Sequence, residues 1–261
     1  MIRTPPDPRA FIDDSGPFDL IGDIHGCFDE LVSLLARLGY DRRDVHDWHH
    51  PKGRRLVFLG DLVDRGPDSP AVLRTVMSTL AGGRGHCVVG NHDDKFRRWL
   101  AGRDVKLTHG LSETVEQVQA EPVDFRRELL AFIDTLPHHL ILDQGRLIVA
   151  HAGVQADMHG EDSKRVRAFA MFGEVTGERD AHGLPVRLDW ARNYAGEATV
   201  VHGHIAEPDV RERNNVICVD TGCVFGGHLT ALRWPERERV QVPAQQTYYH
   251  SPRWADDVAD D

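Results

Sequence analysis

Six short apolar runs, each ending abruptly in a glycine-flanked polar cluster, restrict the fold of this chain more than any other feature of its sequence. Most runs hold three to five Val, Ile, Leu or Phe residues without polar alternation, which is typical of strands buried on both faces. The runs and their clusters occupy 18–26, 55–66, 86–94, 146–153, 200–205 and 216–222. Because ligands of α/β sheets bind beyond the carboxyl ends of the strands, six polar clusters at such ends predict one shared functional site.

Helical patterns lie between several of these runs. Residues 28–38 carry leucines on one face, residues 69–80 begin with Ser-Pro as N-cap and first helical residue, and residues 111–134 are mostly helix-like. Strands that alternate with helices predict an α/β core. The tail from Asn214 contains successive strand patterns instead, which predict a second, antiparallel-rich sheet.

Charge and length restrict the classes of partner. The 261 residues contain 41 Asp and Glu against 31 Lys and Arg, a formal net charge of −10. This balance excludes the broad basic surface on which duplex nucleic-acid binding depends. No stretch approaches 18 apolar residues and the first residues lack an apolar signal region, so we expect a cytoplasmic protein without a membrane segment.

The four cysteines do not form a recognisable metal or redox motif. Cys27, Cys87, Cys218 and Cys223 include no CxxC pair, so neither a zinc ribbon nor a thioredoxin-type site is predicted. We expect each of them to be a small buried hydrophobic residue in a reducing cytosol. Of the 16 histidines, those within 46–50 and 138–139 are expected to lie in solvated loops.

The strand-end clusters contain the donor atoms of a metal centre. They supply carboxylates, one amide and several imidazoles but no thiolate, a mixed set that suits Mn²⁺, Fe, Zn²⁺ or Mg²⁺. These donors are too many for one four-coordinate ion and enough for two ions that share a carboxylate. The polar residues of the clusters are Asp23, His25, Asp61, Asp64, Arg65, Asn91, His92, His151, His204 and Asp220. One such residue alone is more often a turn former or helix cap, but six coincidences argue for a site.

Taken together, these motifs resemble the signature of the phosphoprotein-phosphatase branch of binuclear metallophosphoesterases. The motifs are GDIHG at 22–26, GDLVDRG at 60–66, GNHD at 90–93, HAG at 151–153 and GH at 203–204. The resemblance covers about 18–240, most of the chain. Segments 171–178 and 219–237 are similar to a bacterial subgroup that includes PrpE-type bis(5′-nucleosyl)-tetraphosphatases and the phosphatase module of bacterial polynucleotide kinase-phosphatases.

The resemblance implies an α/β (α+β), calcineurin-like metallo-dependent phosphatase fold with two packed β-sheets flanked by helices. It implies a metallophosphoesterase domain over 18–245, between a flexible N-terminal lead at 1–17 and an acidic C-terminal tail at 246–261. Helical or irregular segments at about 100–135 and 155–197 would cap this domain and hold its substrate specificity. Trp190 and Tyr194, in the second segment, are expected to be core or loop aromatics rather than base-stacking residues.

The resemblance also implies a role for each site residue. Asp23, His25 and Asp61 would hold a first ion, and Asn91, His151 and His204 would complete the coordination of a second ion, with Asp61 bridging the two. The usual Tyr-Gly-His-Thr-Pro run is VHGHI here, which leaves His202 as a competitor of His204, because alternate residues on a strand share a face. Asp220 is left open between a carboxylate that orients a metal-bound histidine and a turn residue.

The remaining implied roles concern phosphate and protons. Arg65 and Asn91 would bind phosphate oxygens, Arg187 is the first choice for a second phosphate-binding arginine, and Arg192 is the alternative. His92, oriented by Asp64, would be the general acid. Cys27 is expected to contribute packing and not to act as a nucleophile.

The implied function is a phosphoesterase that uses a water activated by two divalent ions, with Mn²⁺ expected first and Fe, Ni, Zn or Mg as alternatives. Dinucleoside polyphosphates or other phosphate esters are the expected substrates. A serine/threonine or tyrosine phosphoprotein and a 2′- or 2′,3′-cyclic phosphate RNA end are the alternatives. The chain has no GxxxxGK[ST] loop, so a fused kinase is excluded. A non-catalytic homologue is disfavoured because all six implied ligand positions are present.

Overall fold

The computed structural model describes residues 8–181 and 183–254. Its helices are α1 (Phe28–Leu38), α2 (Ser69–Ala81), α3 (Asn91–Leu100), α4 (Leu111–Gln119), α5 (Val123–Thr135) and α6 (Lys164–Phe172). Its strands are β1 (Phe18–Ile21), β2 (Asp41–Asp44), β3 (Asp47–His49), β4 (Arg55–Phe58), β5 (Gly85–Cys87), β6 (His139–Leu142), β7 (Leu147–Ala150), β8 (Val175–Arg179), β9 (Pro185–Arg187), β10 (Thr199–His202), β11 (Arg211–Arg213), β12 (Val216–Cys218), β13 (His228–Trp234) and β14 (Arg239–Pro243). All six apolar runs of the sequence contain strands, as predicted.

Two five-stranded mixed sheets form the centre of the molecule. The first has the order β14-β13-β1-β4-β5, in which β1, β4 and β5 are parallel and β13 is antiparallel to β1. The second has the order β11-β12-β10-β7-β6, with β12, β10 and β7 parallel and antiparallel strands at both edges. Strands β2 and β3 form one separate hairpin, and β8 and β9 form another.

The sheets pack face to face, and helices cover their outer faces. Phe18, Leu20 and Val57 of the first sheet share a buried cluster with Leu147 and Val201 of the second. Helices α1, α2, α4 and α5 bury apolar faces in a cluster on the other side of the first sheet. Helix α6 covers the second sheet in a further cluster. The predicted architecture of two packed sheets flanked by helices is therefore confirmed.

The prediction that the tail strands form a sheet of their own was wrong. Strand β12 pairs in parallel with β10 in the second sheet, whereas β13 and β14 extend the first sheet next to β1. Strand partners are chosen by long-range pairing and by burial of both faces, which a local pattern does not encode. The chain therefore returns to β1 at its end and completes the first sheet.

The structure also tests three predictions about single residues, two of which were wrong. The N-cap of α2 is Asp68, whose side chain accepts a hydrogen bond from Ala71 N at 2.9 Å, and not Ser69. His139 is not in a solvated loop, since it begins β6, is buried and accepts a hydrogen bond from Gly160 N. Trp190 and Tyr194 are buried in the cluster beneath α6, as expected for core aromatics.

The chain ends contact the domain where they are described. Ile12 N donates to Ile141 O, and the Asp14 carboxylate pairs with Arg55 and His86. Trp254 packs against the turn at Gly222. Residues 1–7 of the expected lead and 255–261 of the expected tail lie outside the described residues. No helix in the described part of the chain has the length and apolar character needed to cross a membrane.

Candidate metal centre

The carboxyl ends of parallel strands from both sheets meet at one edge of the sandwich and bring the predicted site residues together. Asp23 and His25 follow β1, Asp61 follows β4, and Asn91 begins α3 directly after β5. From the second sheet, His151 follows β7, His204 follows β10 and Asp220 follows β12. Six of these seven residues line one cavity of about 760 Å³ together with Arg65, His92 and Arg187, and His151 lies behind its wall in contact with Asn91 and His204.

Left-handed backbone holds these side chains at the sheet edge. The φ angles of His25, Asp61, Asp64, Arg65 and His204 lie between 47° and 76°, a region that residues other than glycine rarely adopt. Strained backbone of this kind clusters at functional sites, where the surrounding contacts impose it. The strain here coincides with the predicted site.

Asp61 occupies the middle of the site. Its Oδ2 lies 3.3 Å from His151 Nε2 and 3.7 Å from His25 Nε2, and its Oδ1 accepts the backbone N–H of His92 at 2.9 Å. Two groups of potential metal ligands share it, one with His25 and His92 and the other with His151 and His204. Despite complete burial, the neighbouring imidazoles, His151 first, hold the pKa of Asp61 well below its usual range.

The histidines around Asp61 keep their Nε2 lone pairs directed into the site. His25 Nδ1 donates to Val63 O at 2.8 Å, and His151 Nδ1 donates to Leu59 O at 2.9 Å. A carbonyl on the far nitrogen is the usual support of a metal-binding histidine, because it fixes both tautomer and ring orientation. His151 Nε2 then faces Asn91 Oδ1 and His204 Nδ1, each at 3.0 Å.

These donors fit two divalent cations. His204 Nε2 is buried and has no hydrogen-bond partner among the described residues. Asp23 is buried, and burial followed by repulsion from Asp220 and Asp61 raises its pKa well above the usual value. Closely spaced carboxylates and imidazole lone pairs repel one another unless a cation lies among them. The oxygen and nitrogen donor set matches Mn²⁺, Fe, Zn²⁺ or Mg²⁺.

His202 and Asp220 were left open by the sequence. The His202 ring lies 5.5 Å from that of Trp190, and His202 is in neither metal-ligand group around Asp61. Asp220 Oδ1 accepts Gly222 N at 3.1 Å, so it forms a turn, and its carboxylate also lies in the cavity next to Asp23. Burial raises the pKa of Asp220 to about 6.

Arg65 contacts two of the imidazole rings that line the cavity, those of His25 and His92. Its Nη1 donates to His25 Nε2 at 2.7 Å and its Nη2 donates to His92 Nε2 at 2.9 Å. The guanidinium also lies over the rings of Phe225 and Tyr249, at 5.2 and 5.5 Å from their centroids. A cation bound at His25 Nε2 must displace this guanidinium, which would leave it free for an anion.

His92 and Asp64 form a closely bonded pair. His92 Nδ1 donates to Asp64 Oδ2 at 2.6 Å, and the Asp64 backbone N–H donates to Thr114 Oγ1 at 2.9 Å. Burial, followed by the nearby Arg65 charge, lowers the pKa of His92 to about 3. Burial raises the pKa of Asp64 to about 7. Near neutral pH the His92 imidazole is therefore neutral while Arg65 contacts it.

Sequence reasoning assigned no role to Asp93, the last residue of the GNHD motif. Asp93 is fully buried, and its carboxylate accepts Leu62 N at 3.0 Å and Gly90 N at 2.9 Å. It therefore ties the loop that follows β4 to the start of α3, which carry Asp61 and His92. Its position within the GNHD motif is the sequence feature that could have indicated this role.

Arg187 and Arg192 are the two candidates for the second phosphate-binding arginine. Arg187 lines the cavity, whereas Arg192 is exposed and is not among the lining residues. The Nε of Arg187 is buried without a partner among the described residues. Burial and the neighbouring Arg253 lower the pKa of this guanidinium. An anion is the group that would satisfy both the unpaired nitrogen and the clustered positive charge.

Gly203 allows the closest approach in the site. A Cβ at this position would lie 1.9 Å from Asp23 Oδ1, so Gly203→Ala must displace the Asp23 carboxylate. We expect this variant to fold and to bind at least one divalent ion roughly tenfold more weakly, as measured by titration calorimetry with Mn²⁺. Gly83→Asn is the control, because open space surrounds that residue and asparagine tolerates its φ of 63°. Unchanged Mn²⁺ affinity in Gly203→Ala would remove Asp23 from the set of ligands.

Comparisons with known proteins agree with this geometry. The family model of the calcineurin-like phosphoesterases matches residues 16–242. A bis(5′-nucleosyl)-tetraphosphatase PrpE [asymmetrical] of Anoxybacillus flavithermus is 46% identical over 236 residues, 88% of this chain and 96% of that protein. The Bacillus subtilis protein of the same name is 43% identical over 238 residues, 90% of this chain and 97% of its own. The crystal structure of a protein provisionally described as a diadenosine tetraphosphatase has a TM-score of 0.66 and 26% identity, over 91% of this chain and 98% of that one.

Proposed function

This chain belongs to the calcineurin-like phosphoesterase family, and from that premise we propose that it hydrolyses dinucleoside polyphosphates. The observation that carries the proposal is the candidate metal centre, which opens into a cavity of about 760 Å³ next to Arg65 and Arg187. Its extent gives room for a phosphate chain beyond the reacting phosphorus. Similarity to proteins named bis(5′-nucleosyl)-tetraphosphatase over nearly the whole chain supports this substrate class.

We assign the metal ligands to two groups that share Asp61. Asp23, His25 and Asp61 would hold one divalent ion, and Asp61, Asn91, His151 and His204 would hold the other. Mn²⁺ is our proposal for the resident ion, since the donors are oxygen and imidazole nitrogen without thiolate. When bound, the two ions supply a water of lowered pKa and polarise the phosphoryl oxygens.

The cationic side chains bind and orient the phosphate chain. Arg65 presents two N–H groups in parallel, which suits bidentate binding of a phosphoryl oxygen pair. Arg187, which also lines the cavity, offers its unpaired Nε. The Asn91 amide lies at the same edge of the cavity and would donate to a phosphoryl oxygen. These contacts hold the phosphorus for in-line attack by water.

The His92 and Asp64 pair supplies the proton that the leaving oxygen needs. Burial and then Arg65 lower the pKa of His92 in the free protein. The substrate's negative charge would draw Arg65 away from His92 Nε2 and raise this pKa, which favours the protonated ring. Asp64 accepts a hydrogen bond from the Nδ1–H group of His92 and keeps Nε2 directed at the leaving oxygen. His92 then donates this proton as the bond to phosphorus breaks.

A substrate panel tests the proposal. With Mn²⁺ present, we expect kcat/KM for diadenosine tetraphosphate to exceed that for phosphoserine or phosphotyrosine peptides and for 2′,3′-cyclic nucleotides by at least about tenfold, a difference of roughly 1.4 kcal/mol in transition-state stabilisation. The products should be a nucleoside monophosphate and a nucleoside triphosphate, separated by ion-exchange chromatography. Asp61→Asn protein purified in parallel reports contaminating phosphatase. A higher kcat/KM for a phosphopeptide would replace the proposed substrate class with a phosphoprotein.

A further inference from the structure

A second group of potential metal ligands lies outside the candidate metal centre. Cys27 directly precedes α1, Glu30 lies in the first turn of that helix, and Cys223 begins a short 3-10 turn, Cys223–Phe225. One ligand atom of each residue lies within 4.8 Å of those of the other two. Cys27 is 0%, Glu30 1% and Cys223 2% exposed. We call these three residues the thiol cluster.

Only one of the two Glu30 carboxylate oxygens has hydrogen-bond partners among the described residues. Its Oε1 accepts Gln245 N at 2.9 Å and the Tyr248 hydroxyl at 2.8 Å. Its Oε2 is buried and has no hydrogen-bond partner among the described residues, the two thiols included. A buried carboxylate oxygen without a donor is costly, and native structures rarely leave one. The oxygen therefore indicates a ligand that accepts its electron pair.

The spacing and the chemistry of the thiol cluster select a class of ligand. Two ligands of one zinc ion, each about 2.3 Å from it, lie no more than roughly 4.6 Å apart, so separations within 4.8 Å need only small side-chain shifts. Two sulfurs and one carboxylate oxygen favour soft and borderline ions over Mg²⁺ or Ca²⁺. Burial of all three residues excludes an ion that keeps a full hydration shell.

We propose that Cys27 Sγ, Cys223 Sγ and the Glu30 carboxylate bind one thiophilic divalent cation of the Zn²⁺ class. The cysteines bind as thiolates and release their protons to solvent, and one coordination position is left for water. This ion is separate from the two ions of the candidate metal centre, whose proposed ligands include no sulfur.

The position of the thiol cluster gives the bound cation a structural effect. It would join the start of α1 to the turn that carries Phe225. Through Glu30 it would also join both to the segment that contains Tyr248 and Tyr249. Phe225 and Tyr249 are the rings that lie against Arg65. The ion would therefore hold in place the aromatic wall behind a phosphate-binding side chain.

Cadmium is the probe for this site, because thiolate-to-cadmium charge transfer absorbs in the ultraviolet and oxygen and imidazole ligands do not produce that band. With the candidate metal centre first saturated with Mn²⁺, we expect the band to appear in the wild type and to saturate at one added Cd²⁺ per chain. Cys223→Ser should abolish it, whereas Cys87→Ser should retain it, because Cys87 is an equally buried thiol outside the thiol cluster that donates to Val88 O. No band in the wild type, or an unchanged band in Cys223→Ser, would overturn the proposal.

Glu30→Gln keeps the proposal testable if Cys223→Ser does not fold. A glutamine still accepts from Gln245 N and from the Tyr248 hydroxyl, so the local structure is preserved. We expect its Cd²⁺ dissociation constant to rise at least about tenfold. A wild-type chain that shows no cadmium band, and in which peptide mapping finds Cys27 joined to Cys223 with a mass lower by two hydrogens, would identify these thiols as a disulfide pair and reject the metal site. None of these readouts depends on phosphohydrolase activity, so either proposal can fail alone.

Discussion

Asp61→Asn is expected to lose both divalent ions of the candidate metal centre and to lose turnover with them. The Oδ2 of Asp61 faces His25 Nε2 on one side and His151 Nε2 on the other, so this single oxygen belongs to both groups of ligands. Asparagine removes the negative charge there but can keep the contact between Oδ1 and the His92 backbone N–H. We therefore expect the fold to survive and kcat to fall by more than about 10⁴, beyond what loss of a general acid causes.

Metal content and activity are the two measurements for this variant. Mass spectrometry of the dialysed protein should find about two equivalents of metal in the wild type and fewer than half an equivalent in Asp61→Asn. The control is Asp19→Asn, which removes another buried carboxylate, one that pairs with Arg54 far from the cavity. It should lower stability and leave metal content unchanged. Two full equivalents in Asp61→Asn would reject the bridging assignment.

The melting temperature is a second, independent test of the same variant. Burial first, and then the charges of neighbouring carboxylates including Asp61, raise the pKa of Asp23, Asp93 and Asp220, so these buried carboxylates repel one another without a cation. In excess chelator, Asp61→Asn relieves this repulsion but also loses the attraction between Asp61 and the neighbouring imidazoles, so we expect it to melt at about the temperature of the wild type. Added Mn²⁺ should raise the melting temperature of the wild type alone, because a ligand stabilises only the state that binds it.

The sheet edge was predictable because short apolar strands and the polar residues after them are local in sequence. Each predicted ligand from Asp23 to His204 follows a strand that a window of fewer than ten residues reveals. Parallel strands bring such residues to one edge whatever the pairing order. The position of β13 was not predictable in this way, because its partner β1 lies near the other end of the described chain. Nor does a local pattern show that β12 joins β10 in the second sheet while β13, the next strand, joins the first.

The side-chain arrangement inside the site was not predictable from sequence. Left-handed backbone at Arg65 follows from tertiary contacts, since arginine does not favour φ above zero. The contact of Arg65 with His25 and His92 depends on where three loops meet. The thiol cluster joins residues 196 positions apart, from Cys27 to Cys223, so no spacing motif could reveal it.

His92→Ala is expected to lower kcat by roughly 10²–10⁴-fold on substrates with poor leaving groups while both divalent ions remain bound. His92 is buried against Asp64, and in neither of the proposed ion sites is it needed as a ligand. Its loss removes the proton that the leaving oxygen takes up. The effect should therefore depend on how much the leaving group needs that proton.

Two phosphate monoesters separate a general acid from a structural residue at this position. A primary alkyl phosphate leaves as a strongly basic alkoxide and needs the proton, whereas p-nitrophenyl phosphate leaves as a stabilised anion. We expect His92→Ala to lose roughly 10²–10⁴-fold in kcat on the first and less than about tenfold on the second. His109→Asn is the matched control, because His109 is exposed and asparagine tolerates its φ of 62°. Equal losses on both esters, or loss of bound metal in His92→Ala, would show that His92 holds the site together and does not donate the proton.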